Sequence, residues 1–254
     1  MSIYYIRKTG SDTNCGTNPD TDAVLTIARG VAISTTGDTL DIGSGTWAEN
    51  ITVGRTYQGA GMFNTHISNV VAMNGGGKIT HFKNIKITIV TAASSLHSNG
   101  TFYYTDSWCD ANVSSNYATF AITQINGLRS IFSTSGTYRM TYRVFDTKFD
   151  FDHCIFFNLS RGNYLFSPPA GYGIVRNSIM YEIFNDRLYF CPGQAFEKEE
   201  YNCCYCQGTG YWRDFPSGGM SPTSLVNKNP MFVDATGMDF RLSPTSPCIG
   251  AGHA

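Results

Sequence analysis

Asp150, Asp152 and Arg176 have the residue types and the placement that could carry out chemistry. The two aspartates alternate with Phe149 and Phe151. Because side chains along a β-strand point alternately to its two faces, both carboxylates are expected on the outward face. Arg176 lies in a similar β-type run further along the chain. Such a group can act as an acid–base pair or a cation site, and the alternative is a surface ion pair between Asp152 and Arg176.

Aromatic residues provide a second group of candidates for a binding surface. Tyr103 and Tyr104 lie in one short run, and Tyr211 and Trp212 lie in another. Their rings could stack on carbohydrate, form a protein interface or simply pack inward, because aromatic side chains combine a large apolar face with a polar edge. We take these four residues as the candidate binding surface.

The eight cysteines include a cluster formed by Cys203, Cys204 and Cys206. No Cys-x-x-Cys pair with a matching second pair follows it, and strand geometry places Cys203 on the face opposite the other two. Buried reduced thiols are favoured here, with a disulfide and a metal site as alternatives. We therefore expect neither a metal nor another cofactor.

A repeat in the sequence indicates how these side chains are positioned. His153, Asn177 and Asn202 follow one another at nearly equal intervals, Asn84 precedes His153 by about three such intervals, and Arg176 follows Asp152 by one. The step near residues 125–128 fits poorly and is expected to be irregular. A period of roughly 22–25 residues, made of short strands and turns, predicts a solenoid whose coils stack in parallel.

Strand alternation then assigns an inside and an outside to each coil. In the run 149–155 the odd-numbered residues, including His153, are expected to face the core, and the even-numbered ones, including Cys154, to face solvent. The repeat places Asn177 and Asn202 above His153. We therefore predict a structural ladder of His153, Asn177 and Asn202 inside the stack, where amides of successive coils bond to each other.

One helix is predicted, and it lies near the start of the chain. Residues 22–32 have apolar side chains at helical spacing, and Asp20, Thr21 or Asp22 could cap the helix. We divide the chain into an N-terminal strand and capping helix (1–37), coils (38–225) and a C-terminal closing segment (226–254), all within one domain (1–254).

Composition excludes several classes of protein. The chain has 254 residues, a net charge of −1 and only 15% charged residues, so no basic excess exists to bind nucleic acid or an anionic membrane. With 42% hydrophobic and 14% aromatic residues, a sizeable core can form. No apolar run is long enough for a membrane span, and the N-terminus lacks the pattern of a secretory signal. Synthesis in a reducing cytoplasm is therefore expected.

Both ends of the sequence resemble right-handed parallel β-helix proteins of the pectate-lyase-like superfamily. The N-terminal motifs lie in residues 4–12, 25–32 and 37–51, which include Gly-Asp-Thr and Gly-Thr-Trp, and the C-terminal motifs lie in 229–234 and 239–252, which include Ser-Pro-Cys. The resemblance implies an all-β fold, a single-stranded right-handed parallel β-helix with a short N-terminal capping helix. It covers about a quarter of the chain and identifies no activity.

This resemblance leaves two functional classes open. Tailed bacteriophages use such helices in tail spikes, fibres and capsid decoration proteins. We expect a non-enzymatic virion structural protein, most simply a capsid decoration or cement protein, made in the host cytoplasm without a signal peptide. Its partners would be the major capsid protein or tail components and further copies of itself, as in a trimer, with no nucleic acid and no membrane.

The alternative is a polysaccharide lyase or glycoside hydrolase, because the superfamily's enzymes cut polysaccharides. Under this alternative a glycan is bound and Asp150, Asp152 and Arg176 are the catalytic candidates. The paired-aspartate and Gly-His-Gly motifs of the superfamily's pectin hydrolases are missing from the sequence.

Overall fold

The structure is a computed structural model. It describes residues 1–51, 54–70, 73–91, 95–113, 119–121, 124–134, 143–144, 148–158, 173–182, 188–189, 196–206, 212–213 and 219–253.

Short strands account for almost all of the regular structure in these ranges, and the helix α1 comprises Ile27–Ile33. The strands are β1 (Ile3–Ile6), β2 (Thr39–Ile42), β3 (Gly45–Trp47), β4 (Thr56–Gly59), β5 (Thr65–Val70), β6 (Met73–Lys83), β7 (Lys86–Thr91), β8 (Ser95–Thr105), β9 (Trp108–Val113), β10 (Thr119–Ala121), β11 (Gln124–Leu128), β12 (Ile131–Thr134), β13 (Arg143–Val144), β14 (Lys148–Asp152), β15 (Ile155–Phe157), β16 (Gly173–Arg176), β17 (Ile179–Glu182), β18 (Leu188–Tyr189), β19 (Lys198–Glu200), β20 (Cys203–Cys206), β21 (Trp212–Arg213), β22 (Leu225–Val226), β23 (Phe232–Asp234) and β24 (Asp239–Leu242).

Two long parallel sheets are formed by strands of successive coils. In the first sheet the order is β1-β2-β4-β6-β8-β11-β14-β16-β19, with β10 and β13 beside this path. In the second sheet the order is β3-β5-β7-β9-β12-β15-β17-β20-β22. Each coil thus contributes one strand to each sheet, and the predicted fold class, a right-handed parallel β-helix with a short N-terminal capping helix, is confirmed.

The register confirms the period that the sequence predicts. From β6 onward, residues at the ends of successive strands of the first sheet pair directly at steps within the predicted period, in the column Lys83, Thr105, Leu128, Asp152, Arg176 and Glu200. The step from β1 to β2 is longer than this period and the step from β2 to β4 is shorter. The expectation of an irregular step near residues 125–128 is wrong, because β11 pairs with β8 and β14 without a register shift.

Inward-facing columns of large side chains fill the interior. The rings of Tyr57 and Phe82 have centroids 5.4 Å apart, and those of Phe82 and Tyr104 are 5.0 Å apart. The next position in this column is Gly127, followed by Phe151. Glycine leaves room there for the ring of Phe132, which lies edge-on to Tyr104 and Phe151.

A single residue with positive φ forms the corner between the two sheets in successive coils. Its φ angle lies between 46° and 55° in six described coils, at Asn84, Asp106, Arg129, His153, Asn177 and Tyr201. The backbone N–H of five of these residues donates to a carbonyl of the next coil, as from Asp106 to Leu128 at 3.0 Å, and that of Tyr201 donates to Oγ1 of Thr223. The corner thus needs one residue and leaves its amide satisfied.

The left-handed corner interrupts strand alternation, and this corrects the predicted orientation of three residues. His153 is 52% exposed by its side chain, whereas Cys154 is buried at 1% exposure and Ile155 is half-buried on the outward side. The expectations that His153 and Ile155 face the core and that Cys154 faces solvent are therefore wrong. Alternation holds only within one extended strand, and the strand ends at Asp152.

The helix is shorter than predicted, and its cap is a different residue. It begins after Thr26, whose side chain accepts a hydrogen bond from the Arg29 backbone N–H at 3.0 Å. The carboxylate of Asp22 accepts instead from Cys15 and Thr17, and the backbone N–H of Val24 donates to the Tyr5 carbonyl. These bonds to other segments keep residues 22–25 out of the helix.

The C-terminal closing segment packs on the outward face of the second sheet. Its strands β23 and β24 pair antiparallel, and the Phe240 ring lies 5.0 Å from that of Phe157 and 6.4 Å from that of Trp108. Among the residues that the structure describes, no helix has the length and apolar character needed to cross a lipid bilayer.

We expect Gly127→Ala to destabilise the fold. A Cβ atom at this position would lie 2.7 Å from Cδ1 of Phe151 and 2.9 Å from Sγ of Cys154, so overpacking should reduce the free energy of unfolding by about 1–3 kcal/mol. Urea denaturation followed by circular dichroism measures the change. Gly43→Ala is the matched control, because its nearest contact is the flexible side chain of Arg7. Equal stability of the two variants would contradict this account of the core.

Candidate functional site

The three residues that the sequence predicts could carry out chemistry lie together on the outward face of the first sheet. Strand β14 carries Asp150 and Asp152 outward between the buried side chains of Phe149 and Phe151. In the next coil, Arg176 pairs directly with Asp152. The predicted juxtaposition of these three side chains is therefore found in the structure, since the coil period and strand alternation both hold within this strand.

Arg176 contacts both carboxylates but favours one of them. Its Nε lies 3.1 Å from Oδ2 of Asp152, and its Nη1 lies 3.8 Å from Oδ1 of Asp150. Side-chain exposure is 41% for Asp150 and 21% for Asp152. Asp152 also accepts a hydrogen bond from Nδ2 of Asn177 at 2.9 Å and lies 2.8 Å from Nδ1 of His153. Asp152 is thus surrounded by donors and Asp150 is not.

The two carboxyl groups differ in acidity for this reason. Burial raises the pKa of Asp150, and the charges of Asp152 and Glu197 reinforce this rise against the opposing effect of Arg176. Burial alone would also raise the pKa of Asp152, but the hydrogen bond from Asn177 and the charges of Arg176 and His153 lower it below its ordinary value. Neighbouring carboxyl groups with diverging pKa values are typical of acid–base sites.

Two polar atoms beside this pair are buried without a hydrogen-bond partner. They are Oδ1 of Asp150 and Nδ2 of Asn126, which belong to paired positions in adjacent coils. Asn126 uses its other amide atom, Oδ1, to accept a bond from Nε2 of Gln124 at 3.0 Å. Buried polar atoms of this kind are uncommon in folded proteins and are found where a site has a role other than stability.

A shallow cavity of about 270 Å³ opens at this place on the sheet face. Its volume suits a group of the size of one sugar ring rather than a whole drug-sized ligand. It is lined by Tyr103, Tyr104, Thr105, Asn126, Gly127, Leu128, Asp150, Asp152 and Arg176.

The two tyrosines of the first aromatic run face opposite sides of the sheet. Tyr103 faces outward, where its ring stacks on His81 with centroids 4.6 Å apart and planes inclined by 7°. Tyr104 is 1% exposed and packs in the core between Phe82 and Phe132. Tyr103 therefore lies at the cavity with its ring outward, and the assignment of Tyr104 to an exposed binding surface is wrong, because alternation turns it inward.

The second aromatic run remains a prediction. Tyr211 lies outside the described residues. Trp212 belongs to β21, which pairs with β18, but its side chain lies outside the description.

The predicted ladder of His153, Asn177 and Asn202 does not form. His153 and Asn177 occupy the same corner column, which continues to Tyr201, and both side chains reach outward to Asp152. Asn202 lies in the next column, where its Oδ1 accepts a hydrogen bond from the Ser178 backbone N–H of the preceding coil, and it is buried.

The displacement of Asn202 from the corner column is visible in the sequence spacing. Asn202 comes directly after the corner residue Tyr201, so the step from Asn177 to Asn202 is longer than one coil. Its Nδ2 donates to the Val175 carbonyl and to Glu199, and no stacked amide is needed to satisfy it.

Asn126 and His81 are members of the site that sequence reasoning missed. Asn126 precedes Asp150 by one coil, and Tyr103 and His81 precede it in the same outward column. A constant period through residues 125–128 would have identified them. No cluster of three or more His, Cys, Asp or Glu side chains that could hold a metal occurs in the described ranges.

Comparison with known proteins identifies no relative: no family model, no curated protein and no solved structure matches this chain. The resemblance to the pectate-lyase-like superfamily therefore depends on the motifs at the two ends, while the parallel β-helix itself is established by the strand pairing.

We expect Asp152→Asn and Asp150→Asn to affect stability in opposite ways at neutral pH. The lowered pKa of Asp152 means that its stabilising contribution is present above the ordinary pKa of 3.8 and is lost as the pH falls through the lowered value. Its replacement should reduce the free energy of unfolding by about 1 kcal/mol at pH 7. The raised pKa of Asp150 has the reverse sign, so Asp150→Asn should leave stability unchanged or increase it.

Urea denaturation of these two variants at about pH 7 and about pH 3 measures the effects on either side of the ordinary carboxyl pKa. Asp106→Asn serves as the control. Asp106 forms an exposed ion pair with Arg129, whose Nε lies 2.7 Å from its Oδ1, and it does not line the cavity. A loss at Asp150 as large as that at Asp152 at neutral pH would contradict the difference in acidity.

Proposed function

We propose that this protein is a non-enzymatic structural component of the tailed-bacteriophage virion, a capsid decoration or cement protein or part of a fibre or spike. The observation that carries the proposal is the continuous stack of nine strands on the main path of the first sheet. At about 4.8 Å between strands the stack is about 40 Å long. Its backbone hydrogen bonds run between coils, so bending or shearing it would break many bonds together.

The outward charges support a scaffold role. Ion pairs link neighbouring coils, from Arg129 to Asp106 at 2.7 Å and from Arg176 to Asp152 at 3.1 Å. Such pairs satisfy the surface charges within the stack and leave the broad sheet faces to contact other proteins. We propose that the partners are the major capsid protein or tail components, together with further copies of this chain in a trimer.

The core thiols are suited to a protein that is made in the host cytoplasm and later leaves it in the virion. Cys154 and Cys204 are buried in the interior. Burial raises the pKa of Cys154 to about 12 and raises that of Cys204 well above its ordinary value. Because the thiolate is the reactive form, these side chains stay inert when the surroundings become oxidising.

A polysaccharide lyase or glycoside hydrolase is the second candidate, and one observation favours it. Asp150 has a raised pKa and lies beside Asp152, whose pKa is lowered, at the rim of a cavity with an outward tyrosine ring. In this candidate Asp150 is the general acid and Asp152 the general base. Arg176 holds Asp152 ionised, and Tyr103 stacks on the sugar ring.

The virion proposal predicts that peptides of this chain accompany particles. Phage particles released from the producing host would be purified on a density gradient, and each fraction would be analysed by mass spectrometry. We expect the chain in constant ratio to the major capsid protein across the particle peak, because a structural component has a fixed copy number. Its confinement to the soluble fractions would overturn the proposal. Native mass spectrometry of the isolated chain should show trimers.

The proposed non-enzymatic role predicts that the purified chain does not depolymerise pectin, alginate or host surface glycans. Reducing ends and unsaturated products would be measured for the wild type, Asp150→Ala and Asp152→Ala. Asp41→Ala, which removes a strand carboxylate paired with Arg7, is the matched control outside the cavity. Equal background rates in all four proteins support the structural role. Turnover that is lost in the two cavity variants and retained in the control would establish the second candidate in its place.

A further inference from the structure

Cys203 and Cys248 meet at the junction between the coils and the closing segment. Cys203 begins β20 and is 3% exposed, whereas Cys248 is partly exposed near the end of the chain. Cys203 donates from its Sγ to the Lys228 carbonyl of the closing segment at 3.2 Å, and Cys248, distant in sequence, lies in that same segment. Both line a cavity of about 370 Å³ between the last coils and the closing segment.

Backbone contacts hold both cysteines in place. The N–H of Cys203 donates to the Ser178 carbonyl of the preceding coil at 2.8 Å. The N–H of Cys248 donates to Oγ of Ser246 at 3.1 Å, and this hydroxyl donates to the Pro230 carbonyl. The two cysteines thus lie on two backbone segments that are each held by hydrogen bonds of their own.

The two thiols differ in reactivity. Interaction with the Cys203 thiol lowers the pKa of Cys248, and interaction with the Ser246 hydroxyl adds to this effect against burial. The same sulfur contact, followed by burial, raises the pKa of Cys203. Cys248 is therefore the sulfur that ionises first, and it is also the more accessible of the two.

We propose that Cys203 and Cys248 form a reversible disulfide that fastens the closing segment to the coils when the protein meets a small-molecule disulfide such as glutathione disulfide. This pair differs from the other described cysteines in its position, since Cys15 is exposed near the N-terminus and Cys154 and Cys204 are enclosed in the core.

The chemistry is a two-step thiol–disulfide exchange. The Cys248 thiolate attacks one sulfur of glutathione disulfide, the sulfur–sulfur bond breaks, and one glutathione thiolate leaves. Cys203 then loses its proton to solvent, and its sulfur attacks Cys248 in the mixed disulfide and releases the second glutathione. The protein loses two protons and two electrons, and with them one glutathione disulfide is reduced to two glutathione molecules.

Formation of this bond would fix the closing segment, whose Phe232 and Phe240 rings cover the outward face of the second sheet. The time at which it forms rests on the proposed function, because a virion component leaves a reducing cytoplasm for an oxidising exterior. The bond itself does not depend on that function, so its formation can be tested on the isolated chain.

The test oxidises the purified full chain with glutathione disulfide and maps its peptides without reduction. We expect a Cys203–Cys248 linked peptide two hydrogen masses lighter than the two separate thiol peptides. The thermal unfolding midpoint should rise by about 5–10 °C, because the bond closes a long loop. Dithiothreitol should reverse both changes.

Cys248→Ser should abolish the linked peptide and the rise, whereas Cys15→Ser, which removes an exposed thiol elsewhere, should retain both. Recovery of unlinked Cys203 and Cys248 after oxidation of the wild type would overturn the inference, as would a linked peptide without a shift of the midpoint. A bonded chain that is missing from phage particles would count against the virion role alone.

Discussion

Each coil must place its backbone N–H groups opposite the carbonyl groups of its neighbours, and this requirement fixes the position of every side chain on the stack. The corner residues satisfy it with one left-handed residue per coil, so that Arg129 donates to the Asp152 carbonyl and His153 to the Arg176 carbonyl. A residue gained or lost within a paired strand turns the following side chains to the other face of the sheet unless a bulge absorbs it, as the register shift between Asn74 and Lys78 does in β6. The columns of aromatic rings inside and of ion pairs outside both follow from this register.

The part of the fold that repeats could be predicted from the sequence. The spacing from Asp152 to Arg176 is one coil, and strand alternation is a local property of β14, so the juxtaposition of these two residues follows without any knowledge of distant contacts. The helix could not be delimited in this way. Asp12 accepts from the Thr26 backbone, and Glu49 accepts from Ile27. These long-range bonds determine where α1 begins, and local periodicity does not contain them.

The corner explains why the polar ladder could not be predicted. Asn84, Asp106 and Asn177 are residue types that tolerate positive φ, and their spacing offered a signal for a turn in every coil. Arg129 and Tyr201 occupy equivalent corners without that preference. Strand alternation continued through His153 therefore misses the point at which the chain turns from the first sheet into the second. Asn202 follows the corner by one residue. Its Nδ2 donates hydrogen bonds to the Val175 carbonyl and to Glu199 rather than to a stacked amide.

The same corner gives the two carboxylates of β14 different surroundings and therefore different acidities. Asp152 is the last residue before the turn, where Asn177 and His153 project outward and provide donors in addition to Arg176. Asp150 lies two residues further into the sheet, between Asn126 and the apolar Ile174 of the adjacent coils. Position relative to the corner thus makes one aspartate part of the scaffold's ion-pair column. It leaves the other partly desolvated beside the unpaired Nδ2 of Asn126, an arrangement that a column of ion pairs does not require. A group that donates a hydrogen bond to Oδ1 of Asp150 would therefore remove the cost of leaving that buried atom unpaired.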